Sequence, residues 1–226
     1  NRMVPESKKI RVMFSKTGAL KFISHLDMNR TMKAAFLRSK LPIWYTMGFN
    51  PHPKTVFSLP LSVGVSDLCC FMDFKITEEV SHEEICRALN AAFPEGLHAL
   101  EAYEPQTKLS DIGWSEYEIS IEAIGASTSS EEKIKAVFAA PMVIEKNSKA
   151  GIKTVDIAPL CELAECRAEG DKISLRLLLS STENEFVNPR FPIECISKAL
   201  EEIPADADTD ICRTAVYLAD RKTYFR

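Results

Sequence analysis

Histidine is the side chain whose ordinary pKa lies nearest neutrality, so the surroundings of the four histidines are where acid–base chemistry is first sought. One of them has unusual company. The run Trp44-Tyr45-Thr46-Met47-Gly48-Phe49-Asn50-Pro51-His52-Pro53-Lys54 sets His52 between two prolines. Each proline fixes its own φ, lacks an N–H and biases the residue before it toward extended geometry. His52 is therefore expected on a stiff loop. Trp44, Tyr45, Phe49 and, further on, Phe57 offer flat rings for stacking, with Asn50 and Lys54 completing a candidate contact set of the kind that holds single-stranded nucleic acid. The same residues also suit a turn whose aromatic side chains plug a core.

A second constellation is Ser24-His25-Leu26-Asp27-Met28-Asn29-Arg30. Ser24 with Asp27 three residues on marks a helix start, where free N–H groups and the positive end of the dipole attract phosphate. His25 and Arg30 are candidates to join that cradle, and Lys21, Lys33 and Arg38 extend the positive set along the same stretch. His25 also has the chemistry for metal-independent RNA cleavage as general acid or base through a 2′-hydroxyl. The alternative is a helix-start residue bonded to backbone or to Asp27.

Other chemistries find little support. The seven cysteines include no Cys-x-x-Cys pair, Cys161 and Cys166 are five apart, and the adjacent Cys69 and Cys70 point to opposite faces of any strand. No metal site and no cofactor are expected. The Cys-x3-Cys-x2-Cys cluster of an iron–sulfur and S-adenosylmethionine enzyme is missing, as are the phosphate-binding Gly-x4-Gly-Lys-Ser/Thr loop and the Gly-x-Ser-x-Gly elbow. Asp156 reads as a turn former and Arg190 as a solvated helix-start charge, each with some scope for a further contact.

The elements that must position these residues follow from periodicity. Lys9–Ser15 alternates as a strand, Ser24 opens a helix that stops at Leu41-Pro42, Ile43–Tyr45 and Thr55–Leu59 read as short strands, and Cys69–Ile76 as a longer one. Ser81 caps a helix through Phe93, and His98–Tyr103 closes the set. The second half repeats this order: Glu116–Glu122 as strand, Ser130–Ala139 as helix, strands over Val143–Glu145, Ile152–Ile157 and Lys172–Leu179, a helix over Pro192–Leu200 and a last strand over Ile211–Leu218. The expectation is an α+β chain of tandem ferredoxin-like modules, antiparallel sheets with helices on one face, divided into residues 1–108 and 109–226.

Of the 226 residues 46% are hydrophobic and 27% charged, which excludes disordered and fibrous classes, and no stretch approaches the ~20 apolar residues of a membrane helix. The opening residues lack the apolar core of a secretory signal, so a cytoplasmic protein is expected. Formal charge is −4, unevenly spread: residues 1–55 hold 11 Lys/Arg against 2 Asp/Glu. Such asymmetry steers a polyanion to one end of the molecule, or simply solvates one face.

Three segments, Phe22–Arg30, Gly48–Lys54 and Ser58–Val65, resemble a bacterial domain-of-unknown-function family linked to radical SAM enzymes, and 152–157 and 213–218 resemble weaker landmarks of it. The resemblance implies an accessory protein that serves a separate radical SAM enzyme as partner, with RNA or a ribosome-linked substrate. A fainter similarity in element order is to the tandem ferredoxin-like endoribonucleases that process CRISPR RNA and use an early histidine; that reading makes His25 or His52 catalytic. It departs from them at the C-terminal end, where Asp206–Arg226 lacks the glycine-rich loop. A pure protein-interaction scaffold is the third class.

Overall fold

The computed structural model describes residues 7–58, 61–148 and 151–226. The fold is mixed α+β, with four α-helices among the described residues and strands that pair antiparallel. The chain divides into two compact units, one running to Leu109 and including Arg226, the other covering Ser110–Phe225.

In the first unit, β1 (Lys8–Lys16) leads through a 3-10 turn (Gly18–Phe22) into α1 (His25–Ser39); β2 (Val56–Phe57), β3 (Val65–Ile76), α2 (His82–Ala92) and β4 (Leu97–Tyr103) follow. The strands lie in the order β4-β1-β3-β2. One face of this sheet is apolar by alternation: Ile10, Val12 and Phe14 of β1 with Met72, Phe74 and Ile76 of β3. Met28, Met32 and Phe36 of α1 and Ile85 and Leu89 of α2 close the same core, spaced three or four apart as a helix face requires. The opposite face carries charge. Arg11 and Asp73, cross-strand partners, are both buried and joined as a fork, Nε to Oδ1 at 2.7 Å and Nη2 to Oδ2 at 3.0 Å.

Gly96 shows why a glycine stands before β4. Its φ of +93° is left-handed, its carbonyl accepts from Thr17 N at 2.9 Å, and a Cβ there would meet the Thr17 carbonyl oxygen at 2.7 Å.

The second unit contains β5 (Trp114–Ala126), α3 (Thr128–Phe138), β6 (Val143–Ser148), β7 (Gly151–Asp156), β8 (Cys161–Ser180), α4 (Arg190–Ala199) and β9 (Thr209–Tyr217). Its main sheet runs β9-β5-β8, and β6 pairs with β7 in a separate two-stranded sheet. Tyr117, Ile119 and Ile121 of β5 pair with Leu177, Leu175 and Ile173 of β8, and all six are buried. β8 doubles back on itself. Eleven residues of straight strand would separate Glu165 from Arg176 by ~36 Å, yet Arg176 Nη2 lies 3.3 Å from Glu165 Oε2, and Gly170 between them has φ +63°.

Several sequence expectations are corrected. Ile43–Tyr45 forms no strand, only isolated bridges from Ile43 to Ile76 and Tyr45 to Pro53, because the prolines 42, 51 and 53 supply no N–H for a ladder. The strand expected over 55–59 shrinks to Val56–Phe57, with Leu59 outside the described residues. α3 starts two residues earlier than expected, at Thr128: Ser127 is the N-cap, and Ser130 is the N3 partner of a capping box. The strand expected over 172–179 is one arm of the longer, folded β8.

Candidate nucleic-acid interface

α1 begins where Ser24 Oγ accepts from the Asp27 amide at 3.1 Å. The same hydroxyl donates to Asp27 Oδ2 at 2.7 Å, and Arg30 Nη1 donates to Asp27 Oδ1 at 3.1 Å. The hydroxyl and then the guanidinium hold the Asp27 carboxyl below its usual range. The helix start thus already carries a carboxylate, and Arg30 pairs with it.

His25, exposed at the first helical position, stands edge-on to Phe57 with ring centroids 5.8 Å apart. An amide nitrogen only donates, so the 3.1 Å contact from Asn29 Nδ2 makes His25 Nε2 the acceptor and places the ring proton on Nδ1. Phe57 is not a free stacking surface, since its ring packs edge-on against Phe14 at 6.4 Å beside the core.

The loop after Pro42 separates into a buried base and an exposed tip. Tyr45 packs on the core, and Trp44 is half-buried, its amide bonded to the Lys75 carbonyl at 2.8 Å with Lys75 Nζ 5.6 Å from its ring centroid. Above them the loop is closed twice, by Thr46 N to the His52 carbonyl at 2.9 Å and by His52 N to Thr46 Oγ1 at 3.2 Å. His52 Nδ1 donates to the Asn50 carbonyl at 3.0 Å, which leaves Nε2 as the outward acceptor. At the tip Phe49 is 112% exposed, flanked by exposed Met47, Asn50 and Lys54.

The cations divide in the same way. Lys9 and Arg11 are spent on Asp73, Lys8 on Glu104 and Glu79, and Arg38 on the Ala92 carbonyl at 2.7 Å, where it closes the end of α2. Lys16 is buried. Lys33, Lys40 and Lys54 are exposed, and Lys21 stands 5.4 Å from the ring of exposed Phe22. Between residues 16 and 58 the only carboxylate in the sequence is Asp27.

Sequence reasoning passed over the exposed apolar residues of the first unit. Phe22, Leu26, Leu37, Met47, Val56 and Val63 are each 47% exposed or more. The Gly64 amide donates to the Lys21 carbonyl at 2.7 Å, bringing Val63 beside Phe22. Periodicity marks a residue as apolar but not as outward-facing, so only the clustering of such residues with glycine and proline was there to be noticed.

A family model described as "Uncharacterized protein conserved in bacteria (DUF2344)" matches residues 9–189. The chain belongs to that family. No curated protein matches it. Two solved structures resemble it distantly. One is a chain of the "Crystal Structure of a Cbf5-Nop10-Gar1 Complex", at 15% identity and TM-score 0.48, over 92% of this chain and 48% of that one. The other is the "Crystal Structure of an Unknown Protein from Galdieria sulphuraria", at 14% identity and TM-score 0.27, over 92% of this chain and 99% of that one. The chain thus spans about half the length of the first. No described helix is long and apolar enough to cross a membrane.

Proposed function

We propose that the first unit binds single-stranded RNA through the tip of the 46–54 loop and the exposed lysines Lys33 and Lys54, as the recognition part of a non-catalytic accessory protein that serves a separate radical SAM enzyme. The observation that carries this reading is Phe49: a ring wholly in solvent, held out by a closed loop, in a stretch where Asp27 is the only carboxylate and is already paired. An exposed aromatic face is costly to keep in water and accepts any unpaired base. The partner enzyme comes from the resemblance of the Phe22–Arg30, Gly48–Lys54 and Ser58–Val65 segments. In architecture, the order β4-β1-β3-β2 supports a ferredoxin-like first module. The folded β8 supports a second one, with the arm that pairs with β5 in the third place of that order and the other arm in the fourth.

Fluorescence anisotropy with labelled single-stranded RNA tests the reading. Phe49→Ala is expected to weaken binding by about 1–3 kcal/mol, the scale of one stacking contact. Lys33→Ala and Lys54→Ala should each flatten the slope of log K against log salt by ~0.7. Binding that is absent at low salt, or untouched by all three substitutions, overturns it. Cleavage that survives chelator and is lost in His25→Ala would replace it with the nuclease reading. A second reading is favoured by the aliphatic side chains: Leu26, Val56 and Val63 present no π face to a base, and they suit docking of the partner enzyme instead.

A further inference from the structure

The hairpin of β6 and β7 carries an arrangement that strand pairing by itself disfavours. Lys146 and Lys153 are directly opposite in its register, so their Cβ atoms stand ~4.5–5.5 Å apart on one face, a position where like charges destabilise the pair. On the same face Ile144 and Val155 precede them, and Ile144 is buried. The two ammonium groups therefore sit at the end of an apolar floor. Lys146 Nζ donates to the Phe186 carbonyl at 3.1 Å and lies 5.6 Å from the Phe191 ring centroid, whereas Lys153 is exposed. An ammonium has three N–H donors, and Lys146 spends one on that carbonyl.

Both lysines line a groove of about 520 Å³, together with Val155, Leu160, Asn184 and Glu185. Asp156 also borders it, but its Oδ1 accepts from Met142 N at 2.9 Å and Ala158 N at 3.0 Å, and it lies three residues, ~10 Å, along the strand from Lys153. Glu185 is the other carboxylate among the described residues that line the groove.

We infer that this groove holds a phosphate group between Lys146 and Lys153, with the Asn184 amide as a further donor and Val155 and Leu160 as the apolar wall for the body of the ligand. A phosphate anion relieves the cross-strand repulsion and meets several donors at once. The group belongs either to a free nucleotide or to a nucleic-acid backbone. The site lies in the second unit and shares no residue with the loop of the first.

The experiment is titration of the full chain with adenosine monophosphate, and separately with a short single-stranded RNA in a Phe49→Ala, Lys54→Ala background that silences the loop, each at constant ionic strength. Saturable binding of either probe, weakened ~10-fold or more in Lys153→Ala as expected for a lost charged hydrogen bond, restored by Lys153→Arg and tightened by Glu185→Gln, supports the site. The probe that binds tells a free nucleotide from a backbone. In parallel, inorganic phosphate should raise the melting temperature of the wild type but not of Lys153→Ala, because a ligand stabilises only the state it binds. No binding of either probe, or binding indifferent to Lys153→Ala, overturns the inference.

Discussion

Among single residues, one deeply buried ion pair of the first unit joins two neighbouring strands. Arg11 and Asp73 are 0% and 3% exposed on the sheet face away from the helices, with Lys9 Nζ adding a contact to Asp73 Oδ2 at 2.8 Å. Arg11 Nη1 further donates to Thr107 Oγ1 at 2.8 Å and Nη2 to the Thr107 carbonyl at 3.1 Å. Removing one partner strands a buried charge. Asp73→Asn or Arg11→Met alone is expected to cost about 3–5 kcal/mol, and Arg11→Met with Asp73→Leu much less than the two single costs together. Urea unfolding of the three variants checks this, and additive costs would contradict it. The sequence marks Lys9–Ser15 as an alternating strand; the burial of Arg11 was illegible because it depends on a partner 62 residues away.

Element by element, the local signals were mostly readable. α2 follows its Ser81 cap and runs to Ala92 as the pattern required, and β4 and β9 lie within two residues of expectation. Less visible was the guarding of β4, the terminal strand of the order β4-β1-β3-β2. Asn90 of α2 donates to the Ala99 carbonyl at 3.0 Å and accepts from the Ala99 amide at 2.7 Å, so its amide group occupies the backbone position that a further strand would use. Asn90→Ala leaves both Ala99 groups without that partner and is expected to cost about 1–3 kcal/mol. It should also promote self-association by strand addition. Asn90→Asp keeps the acceptor and sets a carboxylate against a carbonyl, so it should destabilise without rescuing the edge. Thermal unfolding and light scattering read the two effects, and wild-type behaviour of Asn90→Ala would sink the edge-guard role.

For the molecule as a whole, burial of thiols and phenols sets the alkaline limit. Burial pushes Cys161 up from 9.0 to about 12 and Cys166 to about 11, and pushes Tyr103 and Tyr217 from 10.0 to about 12. In each case the folded value exceeds the unfolded one. Above pH 9 the unfolded chain therefore releases protons that the folded chain retains, and the stability present below pH 9 is lost as pH rises toward 11–12. Urea midpoints at pH 8, 10 and 11 should fall in that order; equal midpoints would refute the assignment. The charge imbalance of the first 55 residues also changes meaning at this scale, since Lys8, Lys9, Arg11 and Arg38 are held by groups within their own unit.

What the sequence determined by itself is what depends on near neighbours. Helix starts at Ser24 and Ser81, the proline-bounded loop around His52, the alternation of β1 and β5 and the α+β class all arise from propensity, capping and periodicity acting over a few residues. The tertiary structure alone decided which apolar and charged side chains face inward. Phe57 and Tyr45 pack beside the core while Phe49 and Phe22 stand in solvent, although all four are aromatic residues in or beside short irregular segments. It also decided that Arg38 closes a helix and Arg30 neutralises Asp27, leaving Lys33 and Lys54 exposed. Orientation and ion pairing depend on residues brought together from far along the chain, and no local pattern encodes which of two similar side chains finds the partner.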